Sequence, residues 1–226
     1  MIFQLPDNPY IFPDPHYGEA DGLLAVGGDL SPERLVTAYS LGIFPWYGFK
    51  EREEILWWCP MDRFVIFPNE IHISHTMRQL MRREMYHVTV NNAFDDVIEA
   101  CSTTDHRDRM EGAWLGRDMI DAYRQLFALG VATSVEVWDN DDMLVGGLYG
   151  VNIGKNFFGE SMFSKVPNAS KLALIHLALL LTDIAHDTNT SPGIIDCQFE
   201  TAHLKSMGGR HITYDEYMTL LEDPVE

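Results

Sequence analysis

The sequence predicts an α+β protein with a small N-terminal domain, residues 1–61, and a larger sheet with helices on its faces, residues 62–226. Three observations predict it. Hydrophobic residues make up 46% of the 226 residues and charged residues 22%, as in ordinary globular proteins. The first sixty residues are rich in proline, glycine and aromatic rings. From Met61 onward, strand-like and helix-like patterns alternate.

The N-terminal domain contains one clear helix signal. Ser31, Pro32 and Glu33 supply an N-cap, a proline suited to the first turn and an acid near the positive end of the helix dipole. Apolar residues follow at helical spacing, and Gly42 is expected to end the helix. The aromatic segment 42–48 is predicted to be a loop, and the ring-rich segment 56–60 ends the domain.

The larger domain is predicted from alternating patterns. Helix signals include an N-cap at Ser74, an N-cap at Asn92, a stop at Gly130, and a capping box formed by Thr213 and Glu216. The most apolar helix begins at Asn168 and runs to about residue 186. Strands are predicted at 63–67, 87–90, 132–138, 143–152, 156–159 and 194–198, with 132–152 forming a hairpin.

Composition limits the classes of protein to which the chain can belong. The longest apolar run, residues 172–181, contains His176 and has about half of the ~20 residues that a membrane span needs. No basic, apolar secretion signal follows Met1. Three widely spaced cysteines do not make a disulfide framework. We therefore expect a cytoplasmic protein without a membrane partner.

The formal net charge of −18 excludes indiscriminate binding to a long duplex, because phosphate binding depends on lysine and arginine. The charge is unevenly distributed, however. Arg78, Arg82 and Arg83 lie close together with a single acid, Glu84, beside them. This basic strip is compatible with a selective contact to a polyanion, while the acidic remainder favours cationic partners.

Two groups of polar residues are candidates for catalysis. Asp196 and Gln198 alternate along a strand and therefore share a face, where burial is costly unless they are paired. Glu160 directly follows a strand among apolar residues, which can raise a carboxyl pKa or create a site for an amine. The alternatives are a structural hydrogen-bond network for the first pair and a solvent-facing strand end for Glu160.

The remaining candidates are aromatic, histidine and cysteine side chains. Trp46 and Trp114 belong to a set of loop aromatics that either stack on bases or seal the small domain against the large one. The histidines have no cysteine or carboxylate at ligand spacing, so we expect no metal site. Cys197 should point away from Asp196, as a buried apolar residue rather than a nucleophile.

Several short sequence segments, taken in their order along the chain, resemble the leucyl/phenylalanyl-tRNA–protein transferase family over nearly its whole length. The resemblance is carried by segments 22–25, 27–32, 42–46, 57–58, 72–74, 111–114, 136–138, 146–151, 159–164 and 195–198. It implies a cytoplasmic enzyme that needs no cofactor and moves Leu or Phe from aminoacyl-tRNA to the N-terminal Arg or Lys of a protein, which marks the acceptor for degradation. It also implies a GNAT-like acyltransferase domain with a central mixed sheet flanked by helices, in a monomer.

The resemblance also implies roles for individual residues. Gln198, Asp196 and Glu160 would be catalytic, with the Gln198 carbonyl aiming the attacking amine and Asp196 polarising that amide or taking the proton. An apolar pocket for the aminoacyl side chain would be lined by Leu148, Phe157, Leu174, Leu177, Leu181 and Ile195; Leu148 stands where Met is expected. Adenosine and tRNA would be bound by Trp46, Trp114, Tyr39, Tyr123, Arg78, Arg82 and Arg83.

Two other functions compete with this interpretation. An acetyl-CoA-dependent GNAT acetyltransferase would need a glycine-rich pyrophosphate loop before the long helix, and segment 164–168 lacks it. A non-enzymatic tRNA-binding adaptor would use the arginines and tryptophans but leave Glu160, Asp196 and Gln198 without a role.

An apolar pocket separates Leu and Phe poorly from Met, since a methylene is worth only ~1–3 kcal/mol.

Overall fold

The computed structural model describes residues 1–7, 10–47, 54–103 and 116–222. The strands are β1 Phe3–Leu5, β2 Leu23–Gly27, β3 Phe44–Tyr47, β4 Ile55–Trp58, β5 Asp62–Ile66, β6 Tyr86–Val90, β7 Ala132–Asp139, β8 Leu144–Ile153, β9 Asn156–Ser164, β10 Ile195–Asp196 and β11 Arg210–Thr213. The helices are α1 Pro32–Ser40, α2 His75–Arg82, α3 Phe94–Ser102, α4 Arg117–Ala128, α5 Ala169–Asp187, α6 Ala202–Ser206 and α7 Tyr214–Glu222.

These strands form two sheets. The small sheet has the order β1-β2-β4-β3, and the large one has the order β11-β5-β10-β9-β8-β7-β6. The large sheet is mixed, because β10 runs parallel to β9 while the other neighbouring strands are antiparallel. The predicted α+β class, with a small N-terminal part and a mixed sheet flanked by helices, is therefore confirmed.

Helices α3 and α5 cover opposite faces of the large sheet. Gly146 faces α5, where a Cβ would overlap Ala169, and Gly147 faces the other way, toward Val97 of α3. Successive strand residues point to opposite faces, so these two glycines let both helices approach the same strand closely. The α5 face and the α3 face hold separate apolar clusters, and the α3 cluster continues into the small sheet.

The caps predicted for α2 and α7 are confirmed, whereas the one predicted for α3 is wrong. Ser74 accepts the backbone N–H of Met77, and Thr213 and Glu216 exchange hydrogen bonds as a capping box. The cap position of α3 is Ala93 rather than Asn92. The buried carboxylate of Glu136 on β7 accepts N–H groups at this helix end instead, a contact between segments that no local sequence signal reveals.

Three predicted segments differ from the structure. Segment 42–48, expected as a loop, contains β3, which tolerates Pro45 because it is the edge strand of its sheet. The strand expected at 156–159 extends to Ser164. The strand expected at 194–198 is only Ile195–Asp196 long, because Gln198 has a φ of +58° that ends the extended backbone.

Helix α5 is the one helix among the described residues that is long and apolar enough to cross a membrane, with a mean hydropathy of 1.3 over its most apolar stretch. Half of that stretch is buried inside the protein. The helix packs on β7, β8 and β9, and core helices of water-soluble proteins commonly have this composition.

Candidate active site

Gln198 lies in a tight turn immediately after β10. Its φ is +58°, and the N–H of Phe199 donates to the carbonyl of Cys197 at 2.6 Å, so the chain reverses within three residues. A turn of this form with positive φ is rare and strained, and such strain concentrates at functional sites. The turn also ends the alternation that would have placed Asp196 and Gln198 on one strand face.

Asp196 is fully buried, and both its carboxylate oxygens are occupied. Arg63 of β5 donates from Nε to Oδ1 at 2.9 Å and from Nη2 to Oδ2 at 2.7 Å. The Tyr217 hydroxyl of α7 donates to Oδ2 at 2.8 Å, and the backbone N–H of Gln198 donates to Oδ1 at 2.9 Å. The carboxylate therefore contacts the Gln198 backbone in this structure and is held by two partners distant in sequence.

The Arg63 guanidinium is enclosed by aromatic rings. Its Cζ lies 4.8 Å from the ring centre of Phe44 and 4.7 Å from that of Tyr217. Burial by itself would lower the pKa of Arg63, but Asp196 and Tyr217 raise that pKa above its ordinary value. The positive charge of Arg63 thus compensates the negative charge of Asp196, and neither side chain is exposed. A buried charge requires such a partner.

Glu160 occupies a β-bulge of β9. Tyr149 pairs with Ser161 and Gly150 pairs with Gly159, which leaves Glu160 as the extra residue. Bulges redirect side chains and recur beside active sites. Here Glu160 accepts hydrogen bonds from the hydroxyls of Tyr39 at 2.6 Å and Tyr123 at 2.7 Å.

Burial raises the pKa of Glu160 to about 7, although the hydrogen bonds from Tyr123 and Tyr39 oppose the shift. The two hydroxyl oxygens are also 2.7 Å from each other, which makes three short contacts among three groups. Two tyrosine protons cannot fill three hydrogen bonds. A protonated Glu160 completes the set by donating to one tyrosine, which then donates to the other tyrosine while that one donates back to Glu160. The geometry therefore favours protonation of Glu160, in the same direction as its pKa.

The six residues predicted to line an aminoacyl pocket lie in or against one apolar cluster on the α5 face of the large sheet. Five are buried members of the cluster and Leu181 is a partly buried residue packed against it. The five are Leu148, Phe157, Leu174, Leu177 and Ile195. Ile195 precedes Asp196 directly, so one end of the cluster reaches the strand that leads to Gln198.

The aromatic candidates separate into different environments. The ring of Trp46 lies 5.3 Å from that of Phe199, the residue after Gln198, and 6.4 Å from that of Trp58. Tyr39 and Tyr123 are fully buried, and both hydroxyls bind Glu160. In this structure the two tyrosines hold the carboxyl group, and neither ring faces solvent. Trp114 lies outside the described residues.

The predicted basic strip is exposed at the end of α2 and just beyond it. Arg78, Arg82 and Arg83 are all exposed, and Arg78 uses its Nε to donate to the carbonyl of Ile73.

In the described ranges no group of three His, Cys, Asp or Glu residues is placed to hold a metal ion. Burial raises the pKa of the Cys197 thiol, which disfavours its nucleophilic form.

Sequence reasoning missed Arg63, Tyr217 and Phe199. Arg63 left a signal, since it is the only arginine in a strand that otherwise reads as apolar, and a buried arginine needs an acid. Tyr217 and Phe199 left none. Their relevance comes from contacts with Asp196 and Trp46, which lie 21 and 153 residues away in the chain.

Comparison with known proteins gives one consistent result. A family model described as "Leucyl/phenylalanyl-tRNA protein transferase" matches residues 65–222, and a model for that family's N-terminal domain matches residues 28–61. A relative from Syntrophobacter fumaroxidans is 47% identical over 224 residues, covering 99% of this chain and 91% of the relative. Another from Syntrophus aciditrophicus is 50% identical, covering 93% of this chain and 84% of the relative. Both are named leucyl/phenylalanyl-tRNA–protein transferase.

Proposed function

This chain belongs to the leucyl/phenylalanyl-tRNA–protein transferase family, and we propose that it transfers an aminoacyl group from tRNA to the amino end of a protein. One observation carries the proposal. Within five residues, Ile195 belongs to the apolar cluster, Gln198 forms a strained turn, and Phe199 packs on Trp46. A turn between an apolar region and an aromatic one suits an ester that joins an apolar amino acid to adenosine, and Gln198 is the residue at this turn.

The transferred residue is leucine or phenylalanine, with methionine also accepted. The predicted pocket residues Leu148, Phe157 and Leu177 are apolar and buried in one cluster. A polar aminoacyl side chain would lose its hydration there without gaining partners, which disfavours its transfer. Discrimination among apolar side chains depends on volume alone and is therefore weak.

The acceptor is a protein with N-terminal arginine or lysine. A net charge of −18 produces a negative field that attracts such a cationic end and raises its local concentration. Aminoacyl-tRNA is a polyanion, and the exposed arginines of segment 78–83 supply the positive contact that the rest of the surface lacks. The enzyme acts in the cytoplasm as a monomer, and the added residue marks the acceptor for degradation.

The reaction is aminolysis of an ester. The acceptor's α-amine nitrogen attacks the ester carbonyl carbon, the bond to the ribose oxygen of tRNA breaks, and one proton passes from the amine to that oxygen. The reference pKa of an α-amine, about 7.7–8.0, leaves a useful neutral fraction at neutral pH, so positioning is the main requirement. The Gln198 carbonyl accepts a hydrogen bond from the amine and aims it.

The contacts of Asp196 support an orienting role for this residue. Its oxygens already accept hydrogen bonds from Arg63, Tyr217 and the backbone of Gln198. Asp196 therefore acts by fixing Gln198, and the proton travels through water or the substrate's own ribose hydroxyl.

A transfer assay tests this function. Purified protein is mixed with tRNA carrying radiolabelled leucine and with a peptide that begins with arginine; we expect label in the peptide. Peptides beginning with aspartate or with acetylated arginine are the controls and should stay unlabelled. Acetylation of a peptide from acetyl-CoA without leucyl transfer would favour an acetyltransferase, and tRNA binding without turnover would favour an adaptor.

A further inference from the structure

The backbone of Gln198 is in a conformation that needs external support. A non-glycine residue at a φ of +58° relaxes unless its surroundings fix it. The short hydrogen bond from Phe199 to Cys197 closes the turn. The backbone of Phe64 on β5 also holds the turn: its N–H donates to the Gln198 carbonyl at 3.4 Å, and its carbonyl accepts the Cys197 N–H at 3.0 Å. Among the described residues, the side chain that binds the Gln198 backbone is Asp196, whose carboxylate accepts the Gln198 N–H.

Asp196 can support the turn only if its own carboxylate is immobile. A two-residue strand gives little rigidity to a side chain, but three donors from outside the strand fix this one. Arg63 binds it from β5 through two nitrogens, and Tyr217 binds Oδ2 from α7. Tyr217 also accepts a hydrogen bond from Arg63 Nη2 at 3.2 Å, so the three side chains form a closed set without exposed members.

We propose that Arg63 and Tyr217 are positioning residues for aminoacyl transfer, which hold Gln198 in its strained turn by fixing the Asp196 carboxylate between them. The proposal rests on the transferase function proposed above. It makes the last helix of the chain part of the catalytic architecture, because α7 supplies Tyr217. Neither residue touches the reacting atoms in this scheme, and both act through Asp196 and the backbone of Gln198.

The most informative variant is Tyr217→Phe. It keeps the ring against Arg63 and removes only the hydroxyl that binds Asp196. Replacing Arg63 would leave Asp196 as an uncompensated buried charge, which commonly unfolds a domain. Tyr214→Phe is the matched control, since Tyr214 lies on the same helix and its ring packs on His16.

The test is a double-mutant cycle with Gln198→Ala, measured by steady-state kinetics with aminoacyl-tRNA as the varied substrate. We expect Tyr217→Phe to lower kcat about tenfold, with little change in KM for aminoacyl-tRNA. In the Gln198→Ala background the same change should have no further effect, since the side chain being positioned is gone. Tyr214→Phe should leave kcat unchanged in both backgrounds.

An equal loss in both backgrounds, or no loss in either, would overturn the proposal. A crystal structure of Tyr217→Phe gives a second readout that does not depend on activity. We expect the φ of Gln198 to become negative or its side chain to occupy several conformers, and an unchanged turn would contradict the proposal. If the unmodified protein transfers no leucine, the transferase function fails, while the crystal structure still decides whether Tyr217 holds the turn.

Discussion

Glu160 and Asp196 are both carboxylates of the large sheet with little access to solvent, yet their neighbours give them different chemistry. Asp196 contacts the guanidinium of Arg63, which compensates its charge. Glu160 accepts hydrogen bonds from the hydroxyls of Tyr39 and Tyr123, whose own pKa values are raised well above the ordinary value by burial and by Glu160. At the residue scale, one group serves as a fixed anion and the other as a site that holds a proton near neutral pH.

We expect Gln198→Ala to lower the rate of transfer by about 10²-fold, because orientation of the amine is lost. The measurement is labelled leucine incorporated into an Arg-starting peptide at saturating substrates. Gln125→Ala, an exposed glutamine of α4, serves as control and should keep the full rate. Full activity of Gln198→Ala would remove this residue from the mechanism.

We expect Glu160→Gln to flatten the pH dependence of stability. The folded pKa of about 7 lies above the ordinary value of 4.5, so the folded state keeps a proton that the unfolded chain releases. Stability is therefore lost as pH rises from 4.5 through 7, by roughly 3 kcal/mol for this group. Urea unfolding at several pH values measures the free energy of unfolding, and Glu33→Gln, at an exposed position, is the control. If that free energy had the same pH dependence in the unmodified protein and in both variants, the raised pKa of Glu160 would be contradicted.

At the scale of elements, α5 and α2 have distinct tasks. Helix α5 gives the apolar cluster Leu174 and Leu177 on its inner side, while Leu180 on the same helix is exposed. Helix α2 buries Met77 and presents Arg78 and Arg82 outward. In the proposed function, the first helix shapes selectivity for the amino acid, and the second provides a positive surface for the nucleic acid.

We expect Leu177→Ala to shift preference from leucine toward phenylalanine by up to about tenfold in the ratio of kcat/KM values, since a larger cavity favours the larger side chain. The same change should cost about 2–5 kcal/mol of stability. Kinetics with both charged tRNAs measure the ratio. Leu180→Ala should leave this ratio unaltered. If Leu177→Ala also left it unaltered, Leu177 would not line the aminoacyl pocket.

We expect replacement of Arg78, Arg82 and Arg83 by glutamine to raise KM for aminoacyl-tRNA and to weaken its salt dependence. Each lost phosphate contact should reduce the slope of log affinity against log salt by about 0.7–0.9. Titrations at several salt concentrations give the slope. Lys205→Gln, an exposed lysine of α6, is the control; a slope that matches the unmodified protein would exclude α2 from the contact.

At the scale of the whole molecule, the two sheets share one apolar core and one buried polar cluster. Tyr39 comes from α1 beside the small sheet, whereas Tyr123 comes from α4, which packs on the large sheet, and Glu160 from β9 of that sheet. Phe44 of the small sheet packs on Arg63, and Trp46 packs on Phe199. The candidate active site therefore needs both parts of the chain, while the net charge of −18 acts over the entire surface.

We expect KM for an Arg-starting peptide to rise with ionic strength, since a long-range negative field attracts the cationic acceptor. Most of this rise in KM should occur between about 0.1 M and about 1 M salt, where the Debye length falls from about 10 Å to about 3 Å. Steady-state kinetics over a salt series, at saturating aminoacyl-tRNA, measure it. Potassium glutamate in place of chloride controls for specific ion effects, and a KM independent of salt would contradict electrostatic attraction.

The sequence by itself determined the family, the α+β class and the caps of α2 and α7. Each of these depends either on residues close together in the chain or on short segments that match the family in the same order. The turn at Gln198 was not. Alternation predicted a five-residue strand there, and only the structure shows that the positive φ of Gln198 and the hydrogen bond from Phe199 to Cys197 end the extended backbone.

The tertiary structure also decided which groups Tyr39 and Tyr123 contact. The family resemblance implied roles near adenosine, which stay a prediction, and the fold brings both hydroxyls onto Glu160 from positions 121 and 37 residues away. Local patterns record which side of a helix or strand is buried, and they hold no information on which distant polar groups meet there. Burial makes such pairing obligatory, but only the packing of the two sheets selects the partners.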